Sequence, residues 1–184
     1  KNLYNKINQL GTWSSIPSLN IVDVLGTTDL DFVVLDMEHG SMSFETIEGM
    51  VRSAYSSTIT PIVRATDSSE QELLRILETG VQSIMIPHIS NSKDAEKVVK
   101  ACKYFPEGKR GLSPYTYANN FTHENLPNSL KNNNEQNFIG ILIEGKEGLQ
   151  NLEDSEDLEI LKILKILKIS KIFRMLRILK PFKS

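Results

Sequence analysis

Phe32-Val33-Val34-Leu35-Asp36-Met37-Glu38-His39-Gly40 is the stretch that decides the fold. Four apolar, β-favouring residues run straight into an acid, a second acid, a histidine and a glycine. A half-exposed strand would alternate; a continuous apolar run reads as a strand buried on both faces, as in a parallel sheet. The polar cluster then stands at the strand's C-terminal end, where α/β folds place their chemistry. His39 has carboxylates one and three residues before it, an arrangement suited to a general base with an orienting partner. A strand-end turn with solvated charges would look the same, so the rest of the chain must decide.

Outward from this stretch the pattern repeats. Leu10-Gly11-Thr12-Trp13-Ser14 precedes it as a short strand, followed by a helix from about Ser18 to Leu25 with Pro17 in its first turn and Gly26 at its end. After it, Ser43 to Tyr55 places Phe44, Ile47, Met50, Val51 and Ala54 on one helical face. Pro61-Ile62-Val63-Arg64 is a third strand. Ser68 and Gln71 then form a capping-box pattern before Leu73, Leu74, Ile76 and Leu77, and Gly80 closes that helix. Gln82 to Pro87 is a fourth strand, and Asn91 caps a helix running to about Tyr104. Residues 106–137, rich in Pro, Gly and Asn, form a long excursion of loop and short helix. Phe138 to Glu144 restores the rhythm as strand five.

Strand–helix alternation with such crossovers means a parallel α/β sheet. Both an open doubly wound sheet and part of a (β/α)8 barrel would fit. The polar residues favour the barrel: Trp13, the Asp36/Glu38/His39 group, Arg64, His88 and Glu144 each lie at or just after a different strand end. A barrel gathers those ends on one face, whereas an open sheet spreads them across its width.

The 184 residues, 40% hydrophobic and 24% charged, suffice for one ordinary core. The N-terminus, Lys1-Asn2-Leu3-Tyr4-Asn5-Lys6, has no apolar signal segment and no initiator Met, so a few preceding residues are expected. A single cysteine, Cys102, lies on an apolar helical stripe with Ala95, Val98 and Val99; it reads as a buried thiol, excludes an internal disulfide framework and fits a cytoplasmic setting. The net charge of −2 hides two unlike parts. Residues 161–184 carry eight of the 21 Lys and Arg and no acid, leaving 13 basic against 23 acidic residues, a net of −10, in the first 160.

Residue by residue, Glu144 follows a nearly continuous apolar run and is a candidate oxygen ligand for a hard divalent cation, with an ion pair to Arg64 as the alternative. Arg64 could present a fixed planar cation to a carboxylate or enolate oxygen, or bridge structurally to Asp36 or Glu38. Trp13 could be core, and His88 a hydrogen-bonded loop histidine or a residue supporting the site.

Gly11-Thr12-Trp13, Asp36-Met37-Glu38-His39-Gly40, Pro61-Ile62-Val63-Arg64, Gly80 with Ile86-Pro87, Gly108-Lys109-Arg110-Gly111 and Ile143-Glu144 occur in the order and spacing of one family. Over roughly residues 8–153 the chain resembles the HpcH/HpaI aldolases, metal-dependent class II enzymes acting on pyruvate-derived enolates, of the 2,4-dihydroxyhept-2-ene-1,7-dioic acid aldolase type. The resemblance implies a (β/α)8 TIM barrel, assembled as a homo-oligomer and usually a hexamer, that makes or breaks a carbon–carbon bond beside a 2-oxo acid. It implies that His39, oriented by Asp36, acts as acid/base through a metal-bound water. Arg64 would neutralise the enolate and Glu144 would be one of two acidic ligands of magnesium or manganese. Trp13, Glu38 and His88 would line the substrate site. The partners implied are a 2-oxo acid and an aldehyde, with no nucleic acid.

Two departures from the family stand out. Leu142 replaces a Gln usually found two residues before the metal-binding Glu, and no Gly-Pro-x-Asp-Leu-type segment supplies the second acid. Instead, a basic residue recurs at every third position from Lys162 to Lys183 between Leu and Ile. A three-residue step turns about 300° on a helix, so these charges spiral round the axis and form no single polar face. Sequence alone therefore divides the chain into an aldolase-like partial barrel of about five βα units, 1–154, and a low-complexity helical tail, 155–184. It reads the tail as replacing the native C-terminal half by frameshift or truncation, with activity doubtful as a result. An inactive remnant that assembles with intact subunits, or a membrane-associating tail on an inactive fragment, are the rival readings; membrane contact by the tail is not expected from its spiral of charge.

Overall fold

In a computed structural model, residues 9–153 are described; the expectations for the 155–184 tail lie outside them. Strands and helices alternate except between β4 and β5, where two helices follow one another: β1 (Gly11–Ser14), α1 (Leu19–Gly26), β2 (Phe32–Asp36), α2 (Phe44–Ser56), β3 (Thr60–Arg64), α3 (Glu70–Glu78), β4 (Ser83–Ile86), α4 (Ser92–Cys102), α5 (Leu126–Gln136), β5 (Phe138–Ile141) and α6 (Lys146–Glu153). All strand pairs are parallel and the sheet order is β1-β2-β3-β4-β5.

Burial separates the two faces of the sheet. Val33, Leu35, Val63, Ile84, Ile86 and Ile139 share one core with Val22 of α1, Ile47 of α2, Leu73 of α3 and Val98 of α4. The alternate residues Val34, Ile62, Met85 and Leu142 form a second cluster that contains no helix residue. Among the described residues, four successive helices thus cover one face, and the other is lined by side chains of the strands and of Leu142 just past β5. A doubly wound sheet covers both faces with helices and reverses its strand order; neither occurs among the described residues. This is the arrangement of consecutive βα units in a TIM barrel.

The helices begin where their chemistry allows. Ser43 accepts a hydrogen bond from Thr46 N, and Asn91 from Asp94 N. Each satisfies a backbone donor that the first turn cannot. Three expectations are corrected. The cap of α3 is Ser69, which accepts from Glu72 N, rather than Ser68. Pro17 precedes the N-cap Ser18 of α1 and so lies outside the first turn, although Gly26 does end that helix as expected, with Thr27 as its C-cap. The 106–137 excursion contains an 11-residue helix, α5, longer than expected. Asn134 explains it: buried, its side chain accepts from Tyr104 N at 2.8 Å and donates to Tyr104 O at 2.9 Å, pinning α5 to the end of α4. Cys102 is free and fully buried, as the apolar stripe required.

Candidate active site

The last inward-facing residues of β2 and β3 stand opposite each other: register pairs Asp36 with Arg64. Neighbouring parallel strands carry their side chains at matched heights, so a carboxylate and a guanidinium at those positions must meet. They meet side-on, Arg64 Nε donating to Asp36 Oδ1 at 2.8 Å and Nη2 to Oδ2 at 2.5 Å. The third nitrogen, Nη1, lies 2.8 Å from Glu38 Oε2. Oε2 is buried and makes no hydrogen bond of good angle, so the Glu38 contact is an ion pair and weaker in geometry than the Asp36 fork. Both alternatives weighed for Arg64 as a structural bridge, to Asp36 or to Glu38, are realised together.

Asp36 does more than hold Arg64. Its Oδ1 accepts from Glu38 N at 3.1 Å and His39 N at 3.2 Å, closing the turn after β2. Burial would raise this carboxyl, but the Arg64 hydrogen bond, the His39 and Glu38 N–H groups and the guanidinium charge outweigh burial and hold it below its usual value. For Arg64, burial acts to lower the pKa, and the Asp36 hydrogen bond with the charges of Asp36, Glu38 and Glu144 raises it. Both groups are therefore charged across the ordinary pH range.

The turn needs Gly40. Its N–H reaches Asp36 O at 3.1 Å, and a Cβ there would stand 2.2 Å from that oxygen and 3.2 Å from Ser15 O. His39, one residue earlier, is exposed, and its imidazole makes no hydrogen bond or ion pair with any described residue. The orientation expected from Asp36 is thus corrected: the carboxylate grips the backbone of His39 and leaves its ring free. An i to i+3 spacing after a strand end suits backbone capping as well as side-chain contact, and the tight turn selects the former.

Trp13 stands on β1, 43% exposed and outside the core, with the Arg64 guanidinium carbon 4.7 Å from its ring centroid. It covers one face of the cation. Glu144 lies beyond the end of β5, which stops at Ile141, so it hangs from the strand's exit rather than terminating it. Its Oε2 is 3.5 Å from His88 Nδ1, while His88 Nε2 is 3.0 Å from Glu38 Oε1. The structure therefore brings Trp13, Asp36, Glu38, Arg64, His88 and Glu144 into one connected group at the C-terminal ends of the strands, with His39 on the adjoining turn. Sequence reasoning did not foresee that His88 would join two of the acids; its one signal was the Pro87 before it.

Glu144 is an oxygen donor of the right kind for a hard cation, but such ions take about six donors. Among the described residues no group of three His, Cys, Asp or Glu side chains could hold a metal. Residues 9–153 do not by themselves fit a divalent ion. Among them, too, no helix is long and apolar enough to cross a membrane.

Comparison with known proteins points one way. The model of the family described as HpcH/HpaI aldolase/citrate lyase matches residues 9–166, running past the described residues into the Leu/Ile/Lys run. A pyruvate aldolase of Rhizobium etli is 27% identical over 140 residues, covering 76% of this chain and 54% of that protein. A 5-keto-4-deoxy-D-glucarate aldolase of Enterobacter sp. is 30% identical over 138 residues, 75% of this chain and 53% of that protein. The chain spans about half the length of these curated relatives. Among solved structures, an HpcH/HpaI aldolase/citrate lyase family protein of Burkholderia cenocepacia superposes with a TM-score of 0.74 at 23% identity, covering 79% of this chain and 58% of the other. Macrophomate synthase gives 0.68 at 29% identity, with 79% and 51% covered.

Proposed function

The chain belongs to the HpcH/HpaI aldolase/citrate lyase family, and from that premise we propose that it is a carbon–carbon lyase working through the enolate of a 2-oxo acid, pyruvate first. The substrate in the cleavage direction is a 4-hydroxy-2-oxo acid. A base takes the proton of the 4-hydroxyl, the C3–C4 bond breaks, and the hydroxyl carbon leaves as an aldehyde. The electron pair of the broken bond passes into the enolate of pyruvate, which is then protonated at C3.

His39 is the base and returns the proton, because its ring is exposed and unengaged on a turn fixed by Asp36 and Gly40. Arg64 stabilises the developing enolate. Held by two carboxylates and covered by Trp13, it is charged and immobile before substrate arrives, so little reorganisation is needed as negative charge develops. The observation that carries this reading is the Asp36–Arg64 fork at adjacent strand ends beside a free imidazole. Dependence on magnesium or manganese belongs to the proposal with Glu144 as one donor, the others coming from outside residues 9–153. Homo-oligomeric assembly belongs to it too, supported by the exposed apolar residues Leu10 and Ile16 on either side of β1 and Leu19 and Val24 in α1.

The test is release of pyruvate from 4-hydroxy-2-oxo acids of differing chain length, read by reduction to lactate. Release should fall about 100-fold or more in His39→Ala, the range for loss of a general base. A folded protein that releases none, or a His39→Ala variant as active as the parent, would overturn the proposal.

A further inference from the structure

His88 occupies an irregular point in the sheet. Leu142 N donates to Ile86 O at 2.9 Å, as a parallel ladder requires. A regular ladder would return the next bond to Leu142 O from residue 88; it comes from Ile89 N, at 3.1 Å. One residue is therefore inserted on the β4 side, and Pro87-His88 forms a bulge opposite Leu142. His88 takes up the irregularity with φ +59, a left-handed backbone that non-glycine residues seldom adopt. Bulges of this kind re-aim a side chain at the edge of a sheet. Here the result is an imidazole, 69% exposed, that reaches Glu38 with Nε2 at 3.0 Å and faces Glu144 with Nδ1 at 3.5 Å.

We propose that His88 is a positioning residue: the β4 bulge holds its ring between Glu38 and Glu144, so that the acids following β2 and β5 are fixed relative to each other and to Arg64. This deepens the aldolase reading and rests on it. Without the ring, Glu38 keeps only its contact to Arg64 Nη1, made through an oxygen with no well-aligned hydrogen bond, and Glu144 loses its one ion pair among the described residues, keeping only the longer-range attraction of Arg64. His88 need not touch the substrate or move a proton. Its contribution is to limit where two carboxylates can go, and misplacement by about 1 Å at such a site can cost about 100-fold in rate.

The experiment uses the full chain, pyruvate and added magnesium or manganese, with deuterium exchange at the pyruvate methyl group followed by proton NMR. His88→Ala should lower exchange by about 10- to 100-fold. Added imidazole should restore a large part of it, since the ring's site is open to solvent, and His88→Gln should retain more exchange than His88→Ala. A purely structural role for His88 predicts no imidazole rescue, and unchanged exchange in His88→Ala overturns the proposal. The bridge is also read without activity. In the intact chain the ¹⁵N signals of the His88 ring should report a hydrogen-bonded Nε2, and His88→Ala should shift the carboxyl ¹³C resonance of Glu144. Should the chain catalyse no exchange at all, the aldolase reading fails, while these two signals still decide the bridge: a freely rotating His88 ring or an unmoved Glu144 resonance overturns it.

Discussion

Replacing Asp36 by Asn changes one atom of the site and should cost more than any surface substitution in this protein. The Asp36 and Arg64 side chains are each only 9% exposed, and the carboxylate accepts two guanidinium bonds and two backbone N–H bonds. In Asp36→Asn the new amide would turn N–H groups toward a guanidinium that has only donors, leaving a buried charge with Glu38 as its remaining acid. Breaking one side of a buried pair costs about 3–5 kcal/mol. With a urea m-value near 2 kcal/mol/M, within the usual range of about 1–3, the unfolding midpoint falls by about 1.5–2.5 M. Urea denaturation followed by circular dichroism measures it. Glu48→Gln is the control, since its bond to Arg52 joins side chains 39% and 44% exposed and should cost about 0.5 kcal/mol or less. The pH dependence adds a sign. Asp36 has its pKa lowered on folding, so its stabilisation is present above the usual value of 3.8 and is lost as pH falls through the folded value. The gap between parent and variant must therefore narrow in acid. A midpoint shift under about 0.5 M, or a gap that widens below pH 3.8, would refute the account of the fork.

Other substitutions probe the supports of the site. Gly40→Ala would push a methyl group against Asp36 O and should destabilise by about 1–3 kcal/mol, read as a lower melting temperature. Ser69→Ala should cost about 1 kcal/mol of unfolding free energy as the loss of an N-cap, whereas Ser68→Ala should leave it within about 0.5 kcal/mol of the parent, both read by urea denaturation. Burial pushes the Cys102 thiol up to about 12, so in the folded protein it should resist a thiol reagent at pH 8 and react promptly once urea unfolds the chain.

Much of this architecture was legible because its signals are local. Apolar runs such as Phe32 to Leu35 mark buried parallel strands, and the periodicity of Ile47, Met50, Val51 and Ala54 marks one buried helix face. The Arg64 pairing with Asp36 could be anticipated as an alternative, because residues closing adjacent parallel strands share a height. What escaped depended on contacts distant in sequence. Helix α5 has an Asn-rich sequence with little apolar pattern, and the contact of Asn134 with Tyr104, 30 residues away, is what secures it. The free imidazole of His39 was hidden because spacing cannot say whether Asp36 bonds a ring or a backbone N–H. The bulge at His88 was hidden because it arises from how β4 leaves its pairing with β5, which no local motif records.

Methyl-proton exchange of pyruvate in heavy water tests the central claim most directly, since it reports enolate formation and needs no choice of aldehyde. The full chain is compared with His39→Ala and Arg64→Lys, each checked for folding, with magnesium or manganese and with a chelator. The account predicts exchange by the parent chain, its loss in His39→Ala, and strong impairment in Arg64→Lys, where a single ammonium cannot reproduce the side-on fork. Exchange at equal rates in parent and His39→Ala, or none from a folded parent with either metal, would contradict it.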